Sequence, residues 1–368
     1  MDTPVVRDRH TVPTRHWHRL DDGRVQCDLC PRFCRLRDGQ RGLCFVRAAL
    51  DGAVVLTTYG RSSGFCVDPI EKKPLHHFYP GSAVLSFGTA GCNLACRFCQ
   101  NWDISKSRDV DRLADEAAPE TIARAAVELG CTSVAFTYND PVIFHEYAID
   151  VARACHARGV KTVAVTAGEI CPGPRAELFA EIDAANVDLK AFSERFYREI
   201  CGGELQPVLD TLVYLRRETE VWLEIANLLI PGLNDSDGEI DAMTKWIVAE
   251  LGPEVPVHFT AFHPDWKLVD RPPTPAGTLI RAREIALGNG VRHAYTGNVH
   301  DAAGGETRCA GCGETLIGRD WFRLTHWSLS REGNCPKCGT PLAGRWAEAA
   351  GTWGERRLPV RLSRFATP

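Results

Sequence analysis

Cys92, Cys96 and Cys99 stand in the run GTAGCNLACRFCQNW with the spacing C-x3-C-x2-C. Three thiolates so spaced can hold three irons of a cubane iron–sulfur cluster and leave the fourth iron without a protein ligand. An iron with an open position can bind and activate a small molecule, whereas a cluster held by four cysteines normally only passes electrons. Three close cysteines with a distant fourth ligand also describe many zinc sites. Against zinc, the spacing is not a pair of CxxC knuckles, and the loop follows directly on a strand-like apolar run. Gly88 and Gly91 would let its backbone turn tightly beside the sulfurs.

Two further cysteine sets flank this loop. Cys27, Cys30, Cys34 and Cys44 form C-x2-C-x3-C-x9-C, which suits either zinc or an auxiliary four-cysteine cluster. Cys309, Cys312, Cys335 and Cys338 form two CxxC knuckles, each followed by glycine, as in a zinc ribbon or a rubredoxin-like site; metal binding there would largely fold a small module. Trp321, Phe322, Trp327 and Trp346 read as that module's miniature core. Cys66, Cys131, Cys155, Cys171 and Cys201 are scattered and read as small buried hydrophobes. An oxygen-sensitive cluster requires a reducing compartment, so a cytoplasmic location is expected. The polar opening MDTPVVRDRHTVPTRHWHRL lacks the apolar stretch of a secretory signal.

The elements that would position these groups can be read from composition. With 368 residues, 44% of them hydrophobic, the chain can bury one large core with small satellites. A net charge of −4 gives no electrostatic case for nucleic acid or anionic membranes, and no apolar run approaches the ~20 residues that span a bilayer. Four segments follow: a Cys-rich module (1–83), a core (84–300), a zinc-ribbon-like module (301–347) and a basic tail (348–368). In the core, strand-like runs at 83–90, 132–138, 161–167, 186–192, 221–230 and 255–262 alternate with helical stretches at 119–130 and 141–159, among others. Six strands alternating with helices predict an α/β fold, a parallel sheet with helices outside, either doubly wound or a barrel.

Three runs carry a family resemblance: CDLCPRFCRLRDGQRGLC (27–44), CNLACRFCQNWDIS (92–105) and FTYNDPVIFHEYAID (136–150). They resemble the radical S-adenosylmethionine (SAM) superfamily, in the branch of pyruvate formate-lyase activating enzyme. Over about the first 300 residues the chain is most similar to AmmeMemoRadiSam-system radical SAM enzymes. The resemblance implies a partial (β/α)6 barrel with its chemistry at the C-terminal ends of the strands. It implies a [4Fe-4S] cluster on Cys92, Cys96 and Cys99, with Phe98 matching the aromatic residue before the third cysteine. It places Tyr138, Asn139 and Asp140 at the SAM amino group, although Asp140 before Pro141 is equally a helix N-cap. Thr166 would lie near the SAM ribose or carboxylate, while Ala167 departs from the usual Asn. Asp188 and Lys190 would lie against SAM, or else form a salt bridge at the barrel mouth. His263 would approach SAM and His258 would be structural; Glu224 and Asn227 would face the interior without an assigned role.

What this implies for function is reductive cleavage of SAM to a 5′-deoxyadenosyl radical that takes hydrogen from a substrate, an oxidoreductase chemistry. A one-electron donor such as flavodoxin or ferredoxin would be a partner. The substrate would be a protein receiving a glycyl radical, or another protein or small molecule within the AmmeMemoRadiSam system. A zinc-stabilised interaction protein without catalysis is the alternative from another class, and the intact cysteine triad speaks against it.

Overall fold

A computed structural model describes residues 7–107 and 115–366. The first six residues of the Cys-rich module and the last two of the tail lie outside the described residues. The main sheet opens with an antiparallel strand, β1 (Arg61–Pro69), followed by seven parallel strands in sequential order. These are β2 (Ala83–Gly88), β3 (Ser133–Phe136), β4 (Lys161–Thr166), β5 (Ala184–Asp188), β6 (Trp222–Leu229), β7 (Val257–Ala261) and β8 (Ala294–Gly297). Six of the seven overlap the expected runs, although β5 starts two residues before its run (186–192) and stops at Asp188; β8 is an addition at the sheet's end. All of β2 and β3 is buried, which is why those segments read as continuous apolar runs rather than alternating ones.

Helices return the chain between strands: α1 (Pro119–Glu128), α2 (His145–His156), α3 (Pro172–Phe179), α4 (Leu205–Glu218), α5 (Asp237–Leu251) and α6 (Ala276–Gly288). The single helix expected over 141–159 starts instead as a 3-10 turn, Pro141–Phe144, before α2. Asp140 caps that turn by accepting the Val142 amide at 3.1 Å, so the proline and the cap together set the tighter geometry.

The C-terminal module is a three-stranded antiparallel sheet of β9 (Thr307–Arg308), β10 (Thr315–Asp320) and β11 (Arg323–Trp327). Cys309, Leu316, Ile317, Leu329, Cys335 and Leu342 form its core, with Trp327 and Trp346 packed against them. It is stitched to the segment before β2: the Tyr79 amide donates to the Arg345 carbonyl at 2.8 Å, and Arg345 returns its own amide to the His77 carbonyl at 2.7 Å. The basic tail does not dangle. Its short strand β12 (Leu358–Pro359) pairs with β1, and Leu362 is wholly buried in the main core.

Candidate active site

The loop after β2 carries the cysteine triad and is pinned from three sides. Gly91 adopts φ +86° against the Cys44 carbonyl, leaving no room for a side chain. Asn139 accepts the Thr89 amide at 3.1 Å and donates to the Gly91 carbonyl at 2.7 Å. The Ala95 and Arg97 amides donate to the carbonyls of Cys201 and Ile200, at the end of a π-helical turn (Tyr197–Cys201). Cys92, Cys96 and Cys99 all line one cavity of about 820 Å³. Lys106 stands near all three thiols and favours their ionised form. For Cys92 burial still wins and pushes the thiol up to about 12. For Cys96 a hydrogen bond from the Cys201 thiol, aided by Lys190 and Lys106, overcomes burial and draws it below the usual thiol range.

The ends of β3 to β5 supply a polar rim on the same cavity. Asp140 is buried and accepts three hydrogen bonds, from Val142 N (3.1 Å), Thr166 Oγ1 (2.9 Å) and Ala167 N (2.9 Å). Burial raises its pKa nonetheless. Asp140 thus ties the end of β3 to the end of β4, so the capping role is real. Tyr138 is held at φ +70°, an uncommon conformation for a bulky residue, with its hydroxyl 3.3 Å from Asp68. Asp68 is itself buried; burial would raise it, but Lys73 and Lys72 outweigh that and hold it at about 2. Asp188 and Lys190 form an ion pair at 2.7 Å, and the Lys190 ammonium lies 5.9 Å from the centre of the Phe98 ring. β5 ends at Asp188, so Lys190 reaches the cavity from just beyond the strand.

The opposite wall comes from β6 to β8, the segment before β2 and the C-terminal module. The sheet register sets Ala226 beside His258 and Leu228 beside Thr260, and all four face the cavity. Trp321 and Phe322, at the turn between β10 and β11, close the wall together with His300. They are not part of the module's core, as their sequence position suggests; Trp321 is 43% exposed and at φ +53°. A hairpin turn carries its tip residues away from the core that its strands enclose. Arg319, on β10 just before the hairpin tip, is buried and donates to the His76 carbonyl at 2.7 Å, fixing the hairpin over the barrel.

A profile described as the Radical SAM superfamily matches residues 87–244, which hold the triad and the rim. An uncharacterised protein of Methanocaldococcus jannaschii is 38% identical over 327 residues, covering 89% of this chain and 97% of that one. The chain belongs to the radical SAM superfamily. The pyruvate formate-lyase-activating enzyme of Clostridium pasteurianum is 24% identical over 162 residues, 43% of this chain and 66% of the enzyme. A radical SAM methyltransferase structure from Sphaerobacter thermophilus aligns at a TM-score of 0.49 and 17% identity, covering 78% of this chain and 76% of that one.

In this superfamily member the expected histidine is not the one that faces the cavity. His263 is exposed beyond the end of β7, where Phe262 turns inward and the next residue outward. His258 lines the cavity and bonds to Glu224 at 2.6 Å. Burial would raise the Glu224 carboxyl, but His258 holds it at about 2, and the His76 and His77 amides at 3.0 and 2.8 Å and Trp222 Nε1 at 2.9 Å also donate to it. Glu224 therefore knots the barrel floor; Asn227, also buried, donates to the Leu189 carbonyl at 2.6 Å. No motif pointed to Glu71, which also lines the cavity with one carboxylate oxygen buried and unpaired; burial lifts it to about 7 against the pull of Arg319.

The cysteine sets differ in compactness. Cys309, Cys312, Cys335 and Cys338 bring their sulfurs within 4.8 Å of one another, with separations of 3.5 Å (Cys309–Cys338) and 3.7 Å (Cys312–Cys335). A tetrahedral ion with metal–sulfur bonds of ~2.3 Å needs edges of ~3.8 Å, so this group could hold a metal. Among the described residues, neither the triad nor Cys27, Cys30, Cys34 and Cys44 meets that tight criterion. The latter four still gather closely enough for Cys30 to feel the other three.

Proposed function

We propose that this protein cleaves S-adenosylmethionine reductively and uses the resulting radical to take a hydrogen atom from a substrate. The observation that carries the reading is the arrival of Cys92, Cys96 and Cys99 on one cavity with Asp140, Thr166, Asp188 and Lys190. The donor set fits a [4Fe-4S] cluster. Three thiols come from one loop, beside the Lys106 ammonium, and are spread more widely than one tetrahedral ion would need. When bound, the cluster and SAM supply the electron transfer that releases methionine and a 5′-deoxyadenosyl radical. Asp140 and the backbone of Tyr138 and Asn139 offer acceptors for the SAM ammonium. The Asp188–Lys190 pair offers an acceptor and a donor for its sugar and carboxylate ends. Leu228, Ala226 and Val165 give an apolar wall that excludes water from the reacting carbon. Anaerobically reconstituted protein given dithionite and SAM should form 5′-deoxyadenosine and methionine together. Full iron loading without either product would sink the proposal.

The substrate reading we favour is a small molecule or a protein side chain within the AmmeMemoRadiSam system, rather than a glycyl-radical partner. It is supported by the hairpin that roofs the cavity with Trp321 and Phe322, and by the activating enzyme's match to less than half of this chain. Zinc in the C-terminal module would hold that roof in place, since structural zinc commonly supplies ~10–16 kcal/mol of apparent folding energy. A Cys335→Ser chain should lose one zinc, show red-shifted tryptophan emission and keep its iron and its substrate-free SAM cleavage. Unchanged emission and zinc would remove the module from this account. A glycine-centred electron paramagnetic resonance doublet on a partner protein would favour activase function instead.

A further inference from the structure

Away from the cavity, His16, His145 and Glu177 come together from three parts of the chain. His16 precedes the first strand of the N-terminal module's hairpin, His145 opens α2 and Glu177 lies on α3. One ligand atom from each lies within 4.8 Å of the other two. The two imidazoles meet edge to face with centroids 5.3 Å apart. His145 has no exposed surface at all.

The hydrogen bonding of the three is incomplete in a particular way. His145 Nε2 faces the Pro174 carbonyl at 3.0 Å, so that nitrogen carries the proton and donates it. The lone pair then sits on Nδ1, which is buried and has no partner. His16 Nε2 lies 3.2 Å from Glu177 Oε1 but is likewise buried without a properly directed hydrogen bond. Glu177 Oε2 lies 3.0 Å from the Arg15 guanidinium, also without hydrogen-bond geometry. Two buried imidazole nitrogens left without a hydrogen bond, beside a carboxylate, are costly as they stand. A histidine whose second nitrogen donates to a backbone carbonyl is what metal ligation asks of a ligand's outer contact. Two histidines and one carboxylate are a recurring zinc donor set.

We propose that His16, His145 and Glu177 bind a divalent cation of the zinc class, with water completing its coordination. The charges around the site permit it: Glu177 supplies one negative charge, and the nearby Arg47 guanidinium is already paired with Glu146. Arg15 shares the Glu177 oxygen remote from His16, leaving Oε1 on the histidine side. The ion would fasten the N-terminal module to α2 and α3. Its ligand His145 lies directly after the Asp140 cap and the 3-10 turn, so the same ion would brace the polar rim of the cavity. His16 is held at φ +58°, a strained conformation that such a clamp would stabilise.

The test uses the full chain after anaerobic iron–sulfide reconstitution and removal of loose metal, with zinc counted per chain by mass spectrometry. His16→Ala and Glu177→Gln, both at partly exposed positions, should each lose one zinc relative to the parent while keeping iron content and circular dichroism unchanged. Cobalt(II) added to zinc-depleted Cys335→Ser chain should develop a visible d–d component, separate from any thiolate charge transfer, that disappears when His16→Ala is added. Equal zinc in the parent and both variants, or cobalt bands that only cysteine substitutions remove, would overturn the assignment. Because zinc and cobalt are read directly, the result does not depend on whether SAM is cleaved.

Discussion

Cys96→Ala protein, reconstituted with iron and sulfide in the absence of oxygen, is expected to form no 5′-deoxyadenosine above the protein-free background. Cys96 is the triad member whose surroundings are most fully built. Its loop is fixed on both sides by the Ala95 and Arg97 amides, its thiol accepts from Cys201, and two ammonium groups favour its ionised form. Removing it leaves two thiolates for a cluster that needs three, so one iron loses its anchor and the open corner is no longer unique. Among the described residues, the buried Cys201 thiol beside it is the group placed to substitute. Cys201→Ala alone should therefore keep cluster and activity, whereas a partly active Cys96→Ala should lose the remainder when Cys201 is also replaced. Full SAM cleavage by the doubly substituted chain would show that the triad does not carry the cluster.

The parallel sheet was legible because its strands are buried on both faces, which leaves apolar runs such as AVLSFG and SVAF in plain sight, whereas the choice of a barrel came only with the family resemblance. The same logic explains what was missed. β8 is only four residues long and mixes tyrosine, threonine and glycine, because it closes the sheet at an edge. β1, with the sequence RSSGFCVDP, is interrupted by a register shift near Gly64 and by polar residues whose partners lie elsewhere in the chain. Residues on a local motif were legible as cavity lining: the triad, the Tyr138–Asp140 turn and the Asp188–Lys190 pair. Those brought in by tertiary packing were not. Glu71 and Lys106 have no motif, Cys201 is meaningful only beside Cys96, and His263 falls outside the cavity because β7 stops at Ala261, while His258 is bound up with Glu224. Trp321 illustrates the same limit, since an aromatic residue between two metal knuckles reads as core until the hairpin shows it at the tip.

Gly91→Ala should cost the protein both its iron and several degrees of thermal stability. The backbone at Gly91 has φ +86°, and an added Cβ would stand 1.9 Å from the Cys44 carbonyl oxygen. Left-handed strain alone costs ~1–3 kcal/mol for a residue with a side chain. The clash is worse, because backbone rather than a flexible side chain must move. Neither neighbour can yield cheaply. Gly91 is held by its amide to the Ile104 carbonyl and by its carbonyl to Asn139, while Cys44 belongs to the N-terminal cysteine set. Relief must therefore displace the cluster loop, the N-terminal site, or both. Gly130→Ala separates strain from collision: it has φ +68° but nothing within 4 Å of an added Cβ, and it lies far along the chain from the triad. That variant should lose ~1 kcal/mol and keep its full iron content. Gly91→Ala should melt earlier than Gly130→Ala and bind iron poorly even with excess sulfide. If Gly91→Ala instead took up iron and cleaved SAM like the parent, the close apposition of the two cysteine loops could not be what holds the triad in place.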